Sequence, residues 1–129
     1  MNKIYEEVED ETGTVTKYRR HSNGRGFVSM KATAHASAFI DATAYVEPGA
    51  EVAMNAWIGA GSWIDANAFV GAGAFVGSNV HIGEGVVVGR GARVGSHSRI
   101  TAGMRIPDGA RVERDTRVDA ARSEIGRAA

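Results

Sequence analysis

The residues of this chain with most to offer chemistry are four histidines and five evenly spaced arginines. His21, His35, His81 and His97 are the candidate general bases and metal ligands, since imidazole titrates near neutrality and binds zinc readily. They are scattered, with no close pair, so the spacing of a zinc site within one chain is absent. Cysteine is absent too, which removes thiolate ligands, thiol nucleophiles and disulfides. The arginines behave differently. Arg93, Arg99, Arg105, Arg111 and Arg117 recur every six residues, and residues 90–129 hold nine Arg against five acidic residues. Such a row can grip phosphate or carboxylate bidentately. It can equally be a solvated face paired with Glu113, Asp115 and Asp119. Residues 28–89 carry the opposite balance, −4, and the whole chain is neutral. A neutral chain gives no global field for nucleic acid or a membrane surface.

The six-residue spacing is a property of the whole chain. Every sixth residue from Val28 to Val118 is Val or Ile, except for Ala34. Two residues before each lies a second column, mostly Ala: Ala32, Ala38, Ala44, Ala50, Ala56, Ala68, Ala74, Ala92 and Ala110 among them. Residues two apart on a strand share a face, so both columns point inward and the residue between them points outward. Three residues after each aliphatic comes a third column. From Gly49 it reads Gly49, Asn55, Gly61, Asn67, Gly73, Asn79, Gly85, Gly91, His97, Gly103, Gly109, Asp115. Gly, Asn, Asp and His are the residues that best tolerate positive φ. Each hexapeptide is therefore expected to be a short strand followed by a left-handed corner.

These columns, and phrases such as "VGAGAF" and "IGEGVV", resemble the hexapeptide-repeat family. The resemblance implies a single-stranded left-handed parallel β-helix, an all-β triangular prism of about five coils with three hexapeptides in each. It covers residues 27–119. Residues 1–26 read as an N-terminal β-hairpin cap and linker, with residues 3–9 and 14–20 flanking "DETG". Residues 120–129 read as a C-terminal tail or cap, of helical composition but too short for a stable helix alone. The plan is also similar to that of small bacterial and phage hexapeptide proteins in which a β cap precedes a Gly–aromatic–aliphatic step, here "GRGFV". That likeness implies no activity.

The outward slot is where function can reside. Seven of the nine aromatic residues occupy it. With three hexapeptides per coil, every third outward slot falls on the same face. A first face then carries Phe27, Tyr45, Trp63, His81, Arg99 and Arg117. A second carries Phe39, Trp57, Phe75, Arg93 and Arg111, and a third Thr33, Glu51, Phe69, Val87 and Arg105. Stacking between coils stabilises such columns by about 0.2–1 kcal/mol per pair. Stacking alone does not account for two Trp and several Phe facing water, and apolar patches of this size mark interfaces. The columns point to a homo-oligomer, with the Tyr45–Trp63 face slightly preferred because His81 gives it a polar edge. Family resemblance implies a homotrimer.

Two enzyme classes of the family bear on the histidines. Hexapeptide-repeat acyltransferases use a catalytic His near a subunit boundary and a loop extruded from the prism, with acyl-CoA as donor. This chain has no such loop between 28 and 118, and of its histidines only His81 lies in an outward slot. The family's three-His zinc carbonic anhydrases have a ligand spacing that is missing here. The leading expectation is a non-catalytic scaffold or binding protein without cofactor or metal. One alternative is an acyltransferase using acetyl-CoA or another acyl-CoA, with His81 as base. Another is a protein that sequesters a small anionic ligand through Arg93, Arg99, Arg105, Arg111 and Arg117. A protein partner also fits. The acidic start "MNKIYEEVED" is not a secretory signal, and no apolar run approaches the roughly 18 residues of a spanning helix, so a cytoplasmic location and no membrane contact are expected.

Overall fold

The computed structural model describes residues 6–120 and 126–127. Sixteen strands of two or three residues, β3 (Phe27–Ser29) through β18 (Arg117–Val118), follow one another at six-residue intervals. Each strand from β3 to β15 pairs in parallel with the strand three hexapeptides further on, so Phe27 registers with Tyr45, Tyr45 with Trp63, and Trp63 with His81. The result is three flat sheets around a common axis, the left-handed β-helix expected from the repeat. No helix occurs among the described residues.

The two inward columns form the core. Every Val or Ile of the hexad column from Val28 to Val118 is buried, and most are fully inaccessible. Each such side chain contributes about 1.5–3 kcal/mol of transfer free energy. Ala34, the one break in the aliphatic column, is only partly buried and packs against that core. Where the Ala column becomes serine, the hydroxyl joins the backbone ladder: Ser62 Oγ donates to Gly77 O (2.6 Å) and accepts from Val80 N (3.1 Å). All twelve corner residues from Gly49 to Asp115 have positive φ, between 55° and 79°.

The N-terminal hairpin pairs β1 (Glu6–Glu9) with β2 (Val15–Arg20), and β2 then pairs antiparallel with β3. Residues 3–5 of the expected first strand lie outside the described residues. The hairpin extends the first face as two further strands. From β2, Arg19 pairs with inward-facing Val28, and its guanidinium donates to Ser29 O (3.0 Å) and Ala32 O (3.3 Å), carbonyls of the first coil. At the other end, Gly126–Arg127 adds a short antiparallel strand, β19, against Ala110–Val112. The rest of the tail from 121 onward lies outside the described residues.

Candidate functional site

The outward slots form the three columns anticipated from the repeat, but the first two faces differ in how their side chains are satisfied. On the first face the rings are held by neighbours. Phe27 stacks on Tyr45 (4.5 Å, 9°), Tyr18 from the hairpin meets both edge-on, and the Arg20 guanidinium lies 3.6 Å from the Phe27 ring centre. Glu47 uses both carboxylate oxygens: it accepts from Tyr18 OH and from Trp63 Nε1 (2.6 Å). Burial and the adjacent Glu47 carboxylate push the Tyr18 phenol well above the ordinary tyrosine range. One coil further on, Trp63 stacks on His81 (4.9 Å, 23°), and His81 Nε2 lies 3.3 Å from Asp65 Oδ2. Beyond His81 the column continues to Arg99 and Arg117, and Arg117 Nε is paired with Asp119 at 3.0 Å.

On the second face the rings have fewer polar partners. Phe39 and Trp57 stack at 4.0 Å and Trp57 and Phe75 at 6.4 Å, a ladder of three rings running up the prism. Trp57 is 45% exposed although its indole is stacked on both sides, and among the described residues nothing accepts a hydrogen bond from its ring nitrogen. Trp63 has the same exposure but donates to Glu47. Above Phe75 the column changes to Arg93, whose guanidinium lies 5.1 Å from the Phe75 ring centre, and then to Arg111. A groove of about 340 Å³ lies there. Two further grooves lie elsewhere: one of about 400 Å³ beside Phe69 on the third face, one of about 410 Å³ beside the hairpin. Arg105 stands on the third face next to Val87, away from the other arginines.

The remaining histidines have local partners. His97 sits in a corner at φ 63°, and His35 Nδ1 is bonded to Ser37 Oγ (2.8 Å). His21 is buried in the linker with Nε2 2.8 Å from Ala38 O. Among the described residues no group of His, Cys, Asp and Glu is arranged to hold a metal ion. No helix among them is long and apolar enough to cross a membrane.

Sequence reasoning placed the aromatic, His81 and Arg columns correctly but missed the carboxylates beside them. Glu47 and Asp65 follow the aliphatic residue of "YVE" and "WID" and are separated by three hexapeptides, so the coil length puts them on one face one step apart. That was the available signal.

A family model described as Bacterial transferase hexapeptide (six repeats) matches residues 67–102. The chain is a hexapeptide-repeat left-handed β-helix protein. Among curated proteins none matches it. Of solved structures, the acetyltransferase domain of PglB from Neisseria gonorrhoeae FA1090, in complex with acetyl coenzyme A, is 21% identical, covering 67% of this chain and 53% of its own at a TM-score of 0.35. A mutant of perosamine N-acetyltransferase from Caulobacter crescentus, in complex with CoA and GDP-perosamine, is 21% identical, covering 67% and 51% at a TM-score of 0.35. This hexapeptide-repeat chain thus spans about half the length of the solved structures it matches. At these values neither likeness assigns a role to any of its residues.

Proposed function

We propose that this hexapeptide-repeat protein is a binding scaffold that self-associates through the Phe39 and Trp57 rings of the second face. The observation that carries the reading is how little besides other rings those two rings touch. On the first face, Tyr18, Arg20, Glu47 and Asp65 cover the rings or take up their polar atoms. On the second face Phe39 and Trp57 are stacked only on other rings, and Trp57 keeps almost half its surface in water. The weight therefore moves from Tyr45 and Trp63, preferred on sequence grounds, to Phe39 and Trp57. Closed rotational symmetry buries the same face of every copy, and the trimer expected from the family resemblance satisfies this. The test is mass by light scattering. Wild-type protein should run as an oligomer, and Trp57→Glu should lower the mass while leaving the circular dichroism unchanged. A wild-type monomer at high micromolar concentration rejects the reading.

A second reading, acyl transfer, is favoured by the His81–Asp65 pair. With Nε2–H donated to Asp65, Nδ1 of His81 holds the lone pair, and the carboxylate stabilises the imidazolium formed when a proton is taken from an attacking hydroxyl or amine. Stacking on Trp63 fixes the ring plane. Acyl-CoA is the donor in this reading, as the resemblance to hexapeptide-repeat acyltransferases implies. Turnover of acetyl-CoA over a panel of amine and alcohol acceptors, abolished in His81→Asn, supports it; no turnover above the His81→Asn background removes it.

A further inference from the structure

The C-terminal half of the second face holds two exposed guanidiniums in direct register. Arg93 pairs with Arg111, one strand spacing or about 4.8 Å away. Like charges directly opposite on neighbouring strands repel. Elsewhere the protein answers such charges with carboxylates: Arg117 with Asp119, Arg114 with Asp115, Arg20 with Glu6. Among the described residues no carboxylate is bonded to Arg93 or Arg111, and Arg93 has only the Phe75 ring beneath it. The two flank a groove of about 340 Å³, within the lower range of small-molecule sites. Glu113 supplies the one carboxylate in its lining.

We propose that this groove binds a small organic phosphate, its phosphate held by Arg93 and Arg111 and its flat apolar body lying on Phe75. The pair of adjacent guanidiniums presents parallel N–H donors to a dianion, and binding relieves their repulsion. Phe75 has Trp57 on one side and the Arg93 guanidinium over its ring, so Arg93 swings from the ring onto the phosphate and the planar body takes its place. Glu113 repels a second acidic group and accepts hydrogen bonds, which selects a body carrying hydroxyl or amino donors, such as a nucleoside. The other arginines lack the combination. Arg117 is neutralised, Arg99 has His81 beneath it in its column, and Arg105 has Val87. The proposal does not rest on self-association through Trp57.

The experiment is isothermal titration calorimetry of the full chain with ADP, phenyl phosphate, pyrophosphate and adenosine. ADP and phenyl phosphate should bind, and adenosine should be weaker than ADP by about tenfold or more because it lacks the charged end. Arg93→Gln and Arg111→Gln should each weaken ADP by about tenfold or more, whereas Arg105→Gln should stay within about twofold. Phe75→Leu should weaken ADP but not pyrophosphate, and circular dichroism should show every variant folded. Any of three results overturns the proposal: no binding of ADP or phenyl phosphate at millimolar concentration; Arg105→Gln costing as much as Arg93→Gln; or ADP affinity indifferent to Phe75→Leu.

Discussion

Gly83 and Gly85 stand two residues apart in one turn and need glycine for different reasons, so substituting alanine at each separates the two. Gly85 is a corner residue at φ 69°, and a Cβ there would meet nothing within 4 Å. Its cost is conformational alone: about 1–2 kcal/mol for a left-handed alanine, partly offset by about 0.4–1 kcal/mol from the less flexible unfolded chain. A net loss near 1 kcal/mol is expected. Gly83 has no positive φ, but a Cβ there would lie 2.7 Å from both Ala102 N and Ile100 O on the next coil. That is about 0.7 Å inside ordinary contact, and the obstacle is backbone, which cannot swing aside. The coil must lift, straining the bond from Gly83 N to Ile100 O, now 2.8 Å. Overpacking at about 1–3 kcal/mol plus a weakened ladder bond at about 0.5–1.5 kcal/mol, less the same offset from the unfolded chain, gives a loss of about 2–3 kcal/mol. For a chain of 129 residues, each kcal/mol moves the melting temperature by about 4 °C. Thermal unfolding should therefore show Gly83→Ala about 8–12 °C below wild type and Gly85→Ala about 4 °C below. Equal losses at the two sites would refute the close-approach argument.

Val76 has no accessible surface, so Val76→Asp strands a carboxylate in the core, costs about 4 kcal/mol or more, and should abolish the cooperative melt seen by circular dichroism. Tyr18 has a raised folded-state pKa, so its contribution is complete below about pH 10, the ordinary tyrosine value, and is lost as pH rises beyond it towards the folded value. Urea unfolding across that range should show wild-type stability falling, and Tyr18→Phe should lack that part of the fall; parallel curves would reject the assignment. At neutral pH the same substitution removes the Tyr18–Glu47 bond, and a loss of about 1–2 kcal/mol is expected.

In a solenoid a fixed sequence offset is a fixed neighbour in space, and for that reason the core and all twelve corners were legible. Val28 and Val46 needed no tertiary guess to be placed one above the other. The same arithmetic set Phe39 under Trp57 and Arg93 under Arg111. What the offset does not carry is where a side chain bends within its slot. Glu47 reaches back to Tyr18 and forward to Trp63, and Asp65 reaches His81, through rotamers that a column count leaves open. The second glycine set was also hidden. Gly83 and Gly95 follow the aliphatic residue, a slot that elsewhere holds Glu47, Asp65 and Thr101, so nothing in the column marks glycine as required there. The two ends escaped the period altogether. The repeat says nothing of how Arg19 meets the carbonyls of the first coil, or that His21 is buried against Ala38 O.

The outward slot makes no demand on the core, so its residues are free to be chosen for work at the surface, and on the second face that choice changes midway along the axis. Phe39, Trp57 and Phe75 occupy the N-terminal three strands, and Arg93 and Arg111 the next two. The two halves should respond to salt in opposite directions. Association through stacked rings buries apolar surface, which sulfate strengthens by its exclusion from the protein surface. Phosphate binding at Arg93 and Arg111 is Coulombic at an exposed site, and raising the salt shortens the Debye length from about 10 Å at 0.1 M to about 3 Å at 1 M. Light scattering in rising sodium sulfate should therefore show the oligomer persisting or growing, while ADP titrations in rising sodium chloride should weaken steeply. An oligomer that dissociates in salt would mean charged side chains, and not the Trp57 ladder, hold the copies together. ADP binding that ignores salt would place the ligand away from the arginines.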